Sequence, residues 1–364
     1  MSNKSLSRVL VTSALLALSA CDGDDGPSPA PVPNAFAAVD AAAQDAYDKH
    51  AVPMGLTVYD AEGTRIFERM YGDFSPDRRV AIASASKLIS GVTLFRLIDA
   101  GYLNLDSTTG QWLGWEGTKG EITVRHLLSF TSGLEPEHAC TYVPAMPLKE
   151  CVDQIGQLDL LGPPGTRFDY GSTHLQVAAL MAEMAVGSDW NAIFNAQLRQ
   201  PLQLAAEFAY YSAPRQGVDP RPINPLLAGG MRASMNDYSH VLRFVFDKGK
   251  WQGSQLISPD LFDLQSVEPY PDAVVGTSPG LFDARYGLTA WLECATPASG
   301  CATISSPGLF GFTPWLDRSA GYYAVLGMQI EDLQSHRGIG TQIQQTLKPL
   351  IAEAIDVRTP FTGE

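Results

Sequence analysis

Two residues that could together perform nucleophilic catalysis, Ser84 and Lys87, stand three positions apart. From Leu88 onward, apolar residues recur with helical spacing, which predicts that Ser84 lies at a helix N-terminus and that Lys87 follows one turn later on the same face. A serine hydroxyl needs a group that takes its proton before it can act as a nucleophile. Lysine can do so when partial burial lowers its pKa. The same spacing also occurs where a serine caps a helix and the lysine is solvated.

A second chemically informative stretch, Pro164 to Ser172, reads Pro-Gly-Thr-Arg-Phe-Asp-Tyr-Gly-Ser. Its turn residues precede a helical pattern, so Tyr170 and Ser172 can face the same side as residues i and i+2. A tyrosine near a lysine cation can lose its proton well below its ordinary pKa of about 10 and act as a base. The alternative is a tyrosine that only packs at the start of a helix.

The remaining pattern indicates the elements that must position these residues. Near the start of the chain, residues 35–50 predict a helix and residues 55–67 predict two strands joined by a turn. Strand-like segments return from Tyr286, beginning with 287–293, and a terminal amphipathic helix covers about 339–355. The middle of the chain is mainly helical, with predicted helices at 173–186, 190–199 and 234–249.

These elements predict an α+β fold. Strands from both chain ends would form one antiparallel sheet flanked by helices, a mainly helical lobe would be inserted at about 91–284, and the site would lie in the cleft between them. Residues 122–134 predict a helix closed by a Ser132-Gly133 C-cap. Residues 270–286 form a Pro- and Gly-bearing loop, either on the surface or as a wall on the substrate side.

The chain resembles the large serine-hydrolase family that includes class C β-lactamases, D-alanyl-D-alanine carboxypeptidases and β-lactamase-fold esterases. The likeness covers about residues 40–355 and rests on four segments in the family's order: Ser84–Lys87, Ile122–Leu134, Pro164–Ser172 and Gly229–Ser234. It implies a β-lactamase/transpeptidase-like domain over 35–364. It also implies that Ser84 becomes acylated, that Lys87 and Tyr170 share the general base and acid work, and that the Ser84 N–H forms half of an oxyanion hole.

The family's third element is a strand bearing Lys-Thr-Gly, His-x-Gly or Trp-x-Gly, and the best match here begins at Ser306. By resemblance, Gly308 takes the family glycine's place, the Leu309 N–H completes the oxyanion hole, and Ser306 stands where the cation usually is. A serine cannot replace the charge that meets a β-lactam carboxylate. Ser172 likewise replaces an asparagine that helps to bind an acyl amide. The resemblance thus implies Ser172, Ser306 and Gly308 as substrate-binding residues.

Both departures weaken recognition of β-lactams and peptidoglycan stems, but they leave the acyl-transfer residues intact. We therefore expect a serine hydrolase that cleaves a carboxylic ester with a modest, uncharged acyl group through an acyl-enzyme on Ser84. A β-lactam or D-amino-acid peptide cleaved by the same mechanism is an alternative substrate. A non-catalytic binding or sensor protein on this fold is a second alternative, although Ser84, Lys87 and Tyr170 argue against it. No cofactor or metal is implied.

The first 34 residues predict export and anchoring. A basic start with Lys4 and Arg8 precedes an apolar core that is too short to span a bilayer, so residues 1–20 are typical of a signal peptide. Leu18-Ser19-Ala20-Cys21 resembles a bacterial lipobox, which predicts lipidation of Cys21 and a place on the periplasmic face of the cell envelope. An acidic, Pro-rich linker that we expect to be disordered follows up to residue 34. An ordinary signal peptide with an incidental cysteine is the alternative.

The other four cysteines predict two disulfides, because an exported protein permits them. Sequence proximity favours Cys140–Cys151 and Cys294–Cys301 among the three possible connectivities. A zinc site is the rival interpretation, but only His138 lies close to a cysteine, and one His-x-Cys is a poor zinc signature.

The formal net charge is −14, without a basic cluster. Such a protein repels phosphate backbones, so we expect no nucleic-acid partner. We also expect a monomer. His126 and His174 are interpreted as structural. Residues 276–280 match Gly-x-Ser-x-Gly, but a Pro-Gly pair follows the serine and no helical pattern continues, so the match is attributed to chance.

Overall fold

The computed structural model describes residues 34–295 and 299–358 and shows a mixed α and β fold, as predicted. The strands are, in chain order, β1 (Met54–Asp60), β2 (Arg65–Tyr71), β3 (Val80–Ala81), β4 (Arg167–Phe168), β5 (Ala209–Ala213), β6 (Val218–Pro220), β7 (Met231–Ala233), β8 (Lys250–Trp251), β9 (Ser254–Gln255), β10 (Val274–Val275), β11 (Trp291–Leu292), β12 (Thr303–Ser305), β13 (Thr313–Asp317) and β14 (Tyr322–Met328).

The helices include all those predicted near the chain ends and in the middle, within a few residues. They are α1 (Ala37–His50), α2 (Ser86–Asp99), α3 (Thr109–Leu113), α4 (Gly117–Gly120), α5 (Val124–Leu128), α6 (Leu148–Gln157), α7 (Thr173–Val186), α8 (Trp190–Phe194), α9 (Met235–Phe246), α10 (Pro259–Gln265), α11 (Leu333–His336) and α12 (Ile339–Arg358). A π-helical turn, Asn195–Arg199, continues α8.

The main sheet confirms that the two ends of the chain meet. Its order is β11-β12-β13-β14-β1-β2, and every pair is antiparallel. The central pair, β1 and β14, runs in register from Met54 opposite Met328 to Asp60 opposite Tyr322. All seven residues of β14 are buried, because helices cover the sheet. The hydrophobic strand pattern therefore reflects a core position rather than an edge.

Helix α9 packs closely on the centre of this sheet. Gly55 of β1 lies opposite Gly327 of β14, and a Cβ on either would meet the side chain of Met235 at 2.8 and 2.5 Å, respectively. The missing side chains leave room for the N-terminal turn of α9, which Ser234 caps by accepting from the Asp237 N–H at 3.0 Å.

Helix α2 runs through the core, and its first ten residues are all buried. Its polar side chains accordingly have partners. The Ser90 hydroxyl donates to the Leu227 carbonyl at 2.8 Å and lies 2.7 Å from the Tyr210 hydroxyl, and Thr93 Oγ1 donates to the Ile89 carbonyl at 2.9 Å. Burial of each large apolar side chain contributes about 1.5–3 kcal/mol, so the core holds this helix firmly.

Two predictions about local structure are wrong. The helix in 122–134 ends at Leu128 rather than at a Ser132-Gly133 cap, because Phe130 adopts φ +58° and the chain reverses there. Within 287–293 only Trp291–Leu292 forms a strand, since Thr289 has φ +62° and its N–H donates to the Leu128 carbonyl at 2.9 Å.

A second, four-stranded sheet was not predicted. It has the order β3-β7-β5-β6. Strand β3 ends shortly before Ser84, and β7 begins shortly after Ala228, whose carbonyl contacts Lys87. Its strands are two to five residues long, which is too short for an alternating pattern to identify them.

The predicted disulfides are confirmed. Cys140 pairs with Cys151 at a Cα–Cα distance of 5.2 Å, and Cys294 pairs with Cys301 at 5.8 Å. The predicted signal peptide, the lipidation of Cys21 and nearly all of the linker fall outside the described residues. Within residues 34–295 and 299–358, no helix combines the length and the apolar character needed to cross a membrane.

Candidate active site

Ser84 lies in a tight turn that leads into α2. The turn is a 3-10 helix, Ala83–Ala85, and Ala83 has φ +44°, a conformation that costs a non-glycine residue about 1 kcal/mol or more. Ser86 stabilises this turn, because its hydroxyl donates to the Ala83 carbonyl at 2.7 Å and accepts from the Met231 N–H at 3.2 Å. The second serine of the motif is therefore a structural brace for the first.

Lys87 is buried in the first turn of α2, and its side-chain nitrogen faces Ser84. Nζ lies 3.0 Å from Ser84 Oγ and 2.9 Å from the Ala228 carbonyl oxygen. Burial lowers the pKa of Lys87 to about 7, although the carboxylate of Glu137 acts in the opposite direction. A lysine with this pKa is largely neutral just above neutral pH and can accept the proton of the serine hydroxyl.

Tyr170 stands beside the same pair. Its hydroxyl interacts with Ser84, and Lys87 Nζ lies over its ring, 4.5 Å from the centroid. The ring stacks on Trp291 at 5.0 Å between centroids and meets Phe130 edge-on at 5.4 Å. These surroundings correct the predicted behaviour of Tyr170: burial raises its pKa well above the ordinary value, so the phenol stays protonated at neutral pH.

A buried hydrogen-bond network holds Tyr170 in place. The Tyr170 N–H donates to the Thr277 carbonyl at 2.7 Å, and the Thr277 N–H donates to Asp169 Oδ1 at 2.8 Å. His174 donates from Nε2 to the Asp169 carbonyl at 2.7 Å and accepts from Ser132 at Nδ1 at 2.8 Å. Burial lowers the pKa of His174 to about 4, so it stays neutral in a structural role. The loop 270–286 is accordingly a wall of the site.

The segment with Gly308 and Leu309 packs against the nucleophile turn. A Cβ on Gly308 would collide with the Ile82 carbonyl oxygen, so only glycine permits this approach. The Gly308 N–H donates to the Phe312 carbonyl at 2.8 Å, and within the described parts of the chain the Leu309 N–H donates to no acceptor. Ser84 and Leu309 line the same cavity. The assignment of their N–H groups as the two donors for an oxyanion stays a prediction.

These residues open into a cavity of about 800 Å³, large enough for a small organic substrate. Its walls come from the nucleophile turn, from the loop 270–286 through Pro279 and Leu281, and from the Leu309 segment. Across residues 34–295 and 299–358, no group of three or more His, Cys, Asp or Glu side chains could hold a metal ion.

A family model described as "Beta-lactamase" matches residues 39–348. The chain belongs to the beta-lactamase family. A curated relative, Esterase EstB of Burkholderia gladioli, is 26% identical over 173 residues, which cover 40% of this chain and 44% of that protein. The match thus spans less than half the length of this relative.

Solved structures show the same fold. A Bacteroides dorei protein provisionally named a beta-lactamase is 27% identical, with a TM-score of 0.76, and the match covers 88% of this chain and 99% of that one. EstCE1, described as a hydrolase with promiscuous acyltransferase activity, has a TM-score of 0.65 at 18% identity, and the match covers 88% of this chain and 98% of that one. LovD, the simvastatin synthase of Aspergillus terreus, has a TM-score of 0.64 at 17% identity, again with 88% and 98% covered.

Ser306, which the sequence analysis predicted to bind the substrate, lies away from the cavity. Ser306 is buried, and its hydroxyl donates to the Ser84 carbonyl at 3.2 Å and also interacts with Tyr238. Its side chain does not line the cavity, whereas Gly308 and Ser172 do. The structure therefore does not support Ser306 as a substrate contact and places it under the nucleophile turn instead.

Glu137 and Tyr142 also line the cavity, and sequence reasoning missed both of them. Glu137 contacts Ser172 and Tyr142. The Ser172 hydroxyl donates to Glu137 Oε1 at 3.1 Å, and the Tyr142 hydroxyl donates to Glu137 Oε2 at 2.9 Å. Glu137 and Tyr142 lie in the loop that carries Cys140. The position of the disulfide was the one sequence signal that this loop is held in a defined place, and it did not indicate which side chains face the cavity.

Proposed function

We propose that this protein is a serine hydrolase that cleaves carboxylic esters through an acyl-enzyme on Ser84. The observation that carries the proposal is the 3.0 Å contact between Lys87 Nζ and Ser84 Oγ, made by a lysine whose pKa burial lowers to about 7. A nucleophile beside a buried base of this pKa is the arrangement that covalent catalysis requires. Membership of the beta-lactamase family and the likeness to Esterase EstB support a hydrolase.

In the proposed acylation step, Ser84 Oγ bonds to the ester carbonyl carbon while its proton passes to Lys87 Nζ. The carbonyl oxygen becomes an oxyanion, which the N–H groups of Ser84 and Leu309 stabilise. The bond to the alcohol oxygen then breaks, and that oxygen receives a proton from Lys87 through the Tyr170 hydroxyl. Water attacks the acyl-enzyme with the same proton transfers in reverse, which releases the carboxylic acid and restores Ser84.

The cavity favours an ester over a β-lactam for two reasons. Ser306 is turned away from the cavity and, as a serine, could not pair with the lactam carboxylate. Ser172 uses its hydroxyl on Glu137, and the carboxylate of Glu137 opposes any anion bound beside it. Hydrolysis of a β-lactam or D-amino-acid amide remains the second candidate, because the family model and the Bacteroides dorei protein are both named for beta-lactamase. A non-catalytic sensor is the third.

We further propose that the protein is exported and attached by a lipid at Cys21, so that it acts on small molecules at the cell envelope. The basic, apolar and lipobox-like segments of residues 1–21 support this. The two disulfides are consistent with an oxidising compartment.

The test compares hydrolysis of p-nitrophenyl butyrate with hydrolysis of a chromogenic cephalosporin by the purified protein. The decisive variant is Ser84→Ala, and Ser278→Ala is the matched control, since Ser278 is the serine of the chance Gly-x-Ser-x-Gly match. Ester cleavage that is lost in Ser84→Ala and kept in Ser278→Ala, with little lactam turnover, supports the proposal. Near-wild-type ester cleavage in folded Ser84→Ala would contradict it, and faster lactam than ester turnover would favour the second candidate.

A further inference from the structure

Glu137 is a carboxylate that lines the cavity and forms no salt bridge with any residue that the structure describes. Its two oxygens accept hydrogen bonds from Ser172 Oγ at 3.1 Å and from the Tyr142 hydroxyl at 2.9 Å. Both donors are neutral, and within residues 34–295 and 299–358 no Lys, Arg or His forms an ion pair with Glu137. A fixed carboxylate without a counter-ion, at the wall of a substrate cavity, is a ready site for a cation.

The loop around Glu137 is held in place on both sides. The Cys140–Cys151 disulfide ties it to α6, and Asn224 donates to the carbonyls of Cys140 and Val143 at 2.8 and 3.2 Å. The N–H of Ser172 donates to the Pro136 carbonyl at 2.7 Å, next to Glu137. The carboxylate is therefore positioned before any ligand arrives, which limits the ordering cost of binding.

The cations that do line the cavity are engaged elsewhere or stand in other segments. Lys87 is buried and contacts Ser84 and Ala228, and it must be neutral to act as a base. Arg215 pairs with Glu331 at 2.5 Å and lies over the Phe310 ring at 4.8 Å. Arg337 lies in the turn before α12. The wall formed by Ser172, Tyr142 and Glu137 consequently carries a negative charge of its own.

We propose that Glu137 binds a cationic group of the substrate, an ammonium or quaternary ammonium, so that the enzyme prefers amino-bearing esters to neutral esters of the same shape. This inference rests on the proposed ester hydrolysis at Ser84. The cation would lie against the carboxylate oxygens, which keep lone pairs free beyond those used by Ser172 and Tyr142. No covalent step at Glu137 is involved.

The test uses two pairs of esters that differ only by a charged nitrogen in place of a quaternary carbon. In the first pair the charge is on the acid: p-nitrophenyl 4-(trimethylammonio)butyrate against p-nitrophenyl 5,5-dimethylhexanoate. In the second it is on the alcohol: butyrylcholine against 3,3-dimethylbutyl butyrate, followed by acid release. The readout is the ratio of kcat/KM for the cationic ester to that for the neutral ester, in which any effect of Glu137 on Lys87 cancels.

We expect the enzyme to favour the cationic ester in one of the two pairs. In that pair, Glu137→Gln should lower the ratio of kcat/KM values about fivefold, which corresponds to the loss of a partly exposed ion pair. The responding pair shows whether the cation belongs to the acid or to the alcohol. Tyr142→Phe keeps the charge and should leave the ratio within about twofold, and Glu116→Gln, an exposed glutamate outside the cavity, should not change it. This inference alone would be overturned if, in each pair, the ratio is the same in the wild type and in Glu137→Gln while cleavage of the neutral esters still depends on Ser84. Absence of Ser84-dependent cleavage of any ester would overturn the proposed function and this inference with it.

Discussion

The hydroxyl of Ser306 donates a hydrogen bond of 3.2 Å to the backbone carbonyl of Ser84. This side chain, which we predicted to contact the substrate, instead packs against the nucleophile turn. Tyr238 reaches the same turn, since its hydroxyl donates to the Ala85 carbonyl at 2.8 Å. Two side chains from distant parts of the chain thus fix the turn in which Ser84 projects towards the cavity.

We predict that Ser306→Ala lowers kcat for ester cleavage about fivefold and leaves KM nearly unchanged, because loss of a buried hydrogen bond costs about 1 kcal/mol and loosens the nucleophile turn. Steady-state kinetics on p-nitrophenyl butyrate would measure this. Ser305→Ala is the matched control: Ser305 is also buried, and its hydroxyl has no partner within the described residues. A rise in KM without a fall in kcat would instead mean that Ser306 contacts the substrate.

Local patterns were sufficient to predict the parts of the molecule that depend on neighbouring residues. Ser84 and Lys87 are one helical turn apart, so their contact follows once α2 is recognised. The strands at both chain ends had clear patterns, and their pairing as β1 and β14 follows from the need to bury both. The disulfides joined cysteines that were already close in sequence.

The features that sequence reasoning missed depend on distant contacts. Glu137 and Tyr142 lie in a loop without periodicity, and contacts with Ser172 and Asn224 together with the disulfide hold them at the cavity. The pKa of Tyr170 was predicted in the wrong direction, because a lysine nearby suggested a lower value whereas burial beside Trp291 outweighs it. Burial is a property of the folded chain that the motif alone does not contain.

The pKa of Lys87 sets the expected pH dependence of ester cleavage. Since Lys87 must be neutral to take the serine proton, kcat/KM should rise with pH and level off above about pH 7, where the lysine loses its proton. Glu137 stabilises the charged form, so Glu137→Gln should lower the pKa of Lys87 and move this limb to lower pH. A pH–rate profile of each variant checks this, with Glu116→Gln as control. A limb that stays fixed or moves to higher pH would show that Lys87 and Glu137 are not coupled.

Tyr170→Phe separates the two proton-transfer residues. We expect kcat to fall about 100-fold, because the path that returns the proton to the alcohol is lost. The limb near pH 7 should remain, since it belongs to Lys87, and burial keeps the Tyr170 phenol protonated over this range. Lys87→Met should abolish the limb together with the activity. Loss of the limb in Tyr170→Phe would assign the titration to the tyrosine and contradict the role given to Lys87.

Gly308→Ala tests the oxyanion hole without touching a catalytic side chain. A Cβ at this position would collide with the Ile82 carbonyl, so the segment must move away and carry the Leu309 N–H with it. Removal of one oxyanion donor costs about 100- to 1,000-fold in kcat, and we expect a loss in this range with little change in KM. Leu309→Ala is the matched control, because it alters only a partly exposed side chain and keeps the N–H, and it should cost less than about tenfold. Thermal unfolding would verify that Gly308→Ala still folds. Comparable losses in the two variants would mean that the Leu309 side chain, rather than its N–H, contributes to turnover.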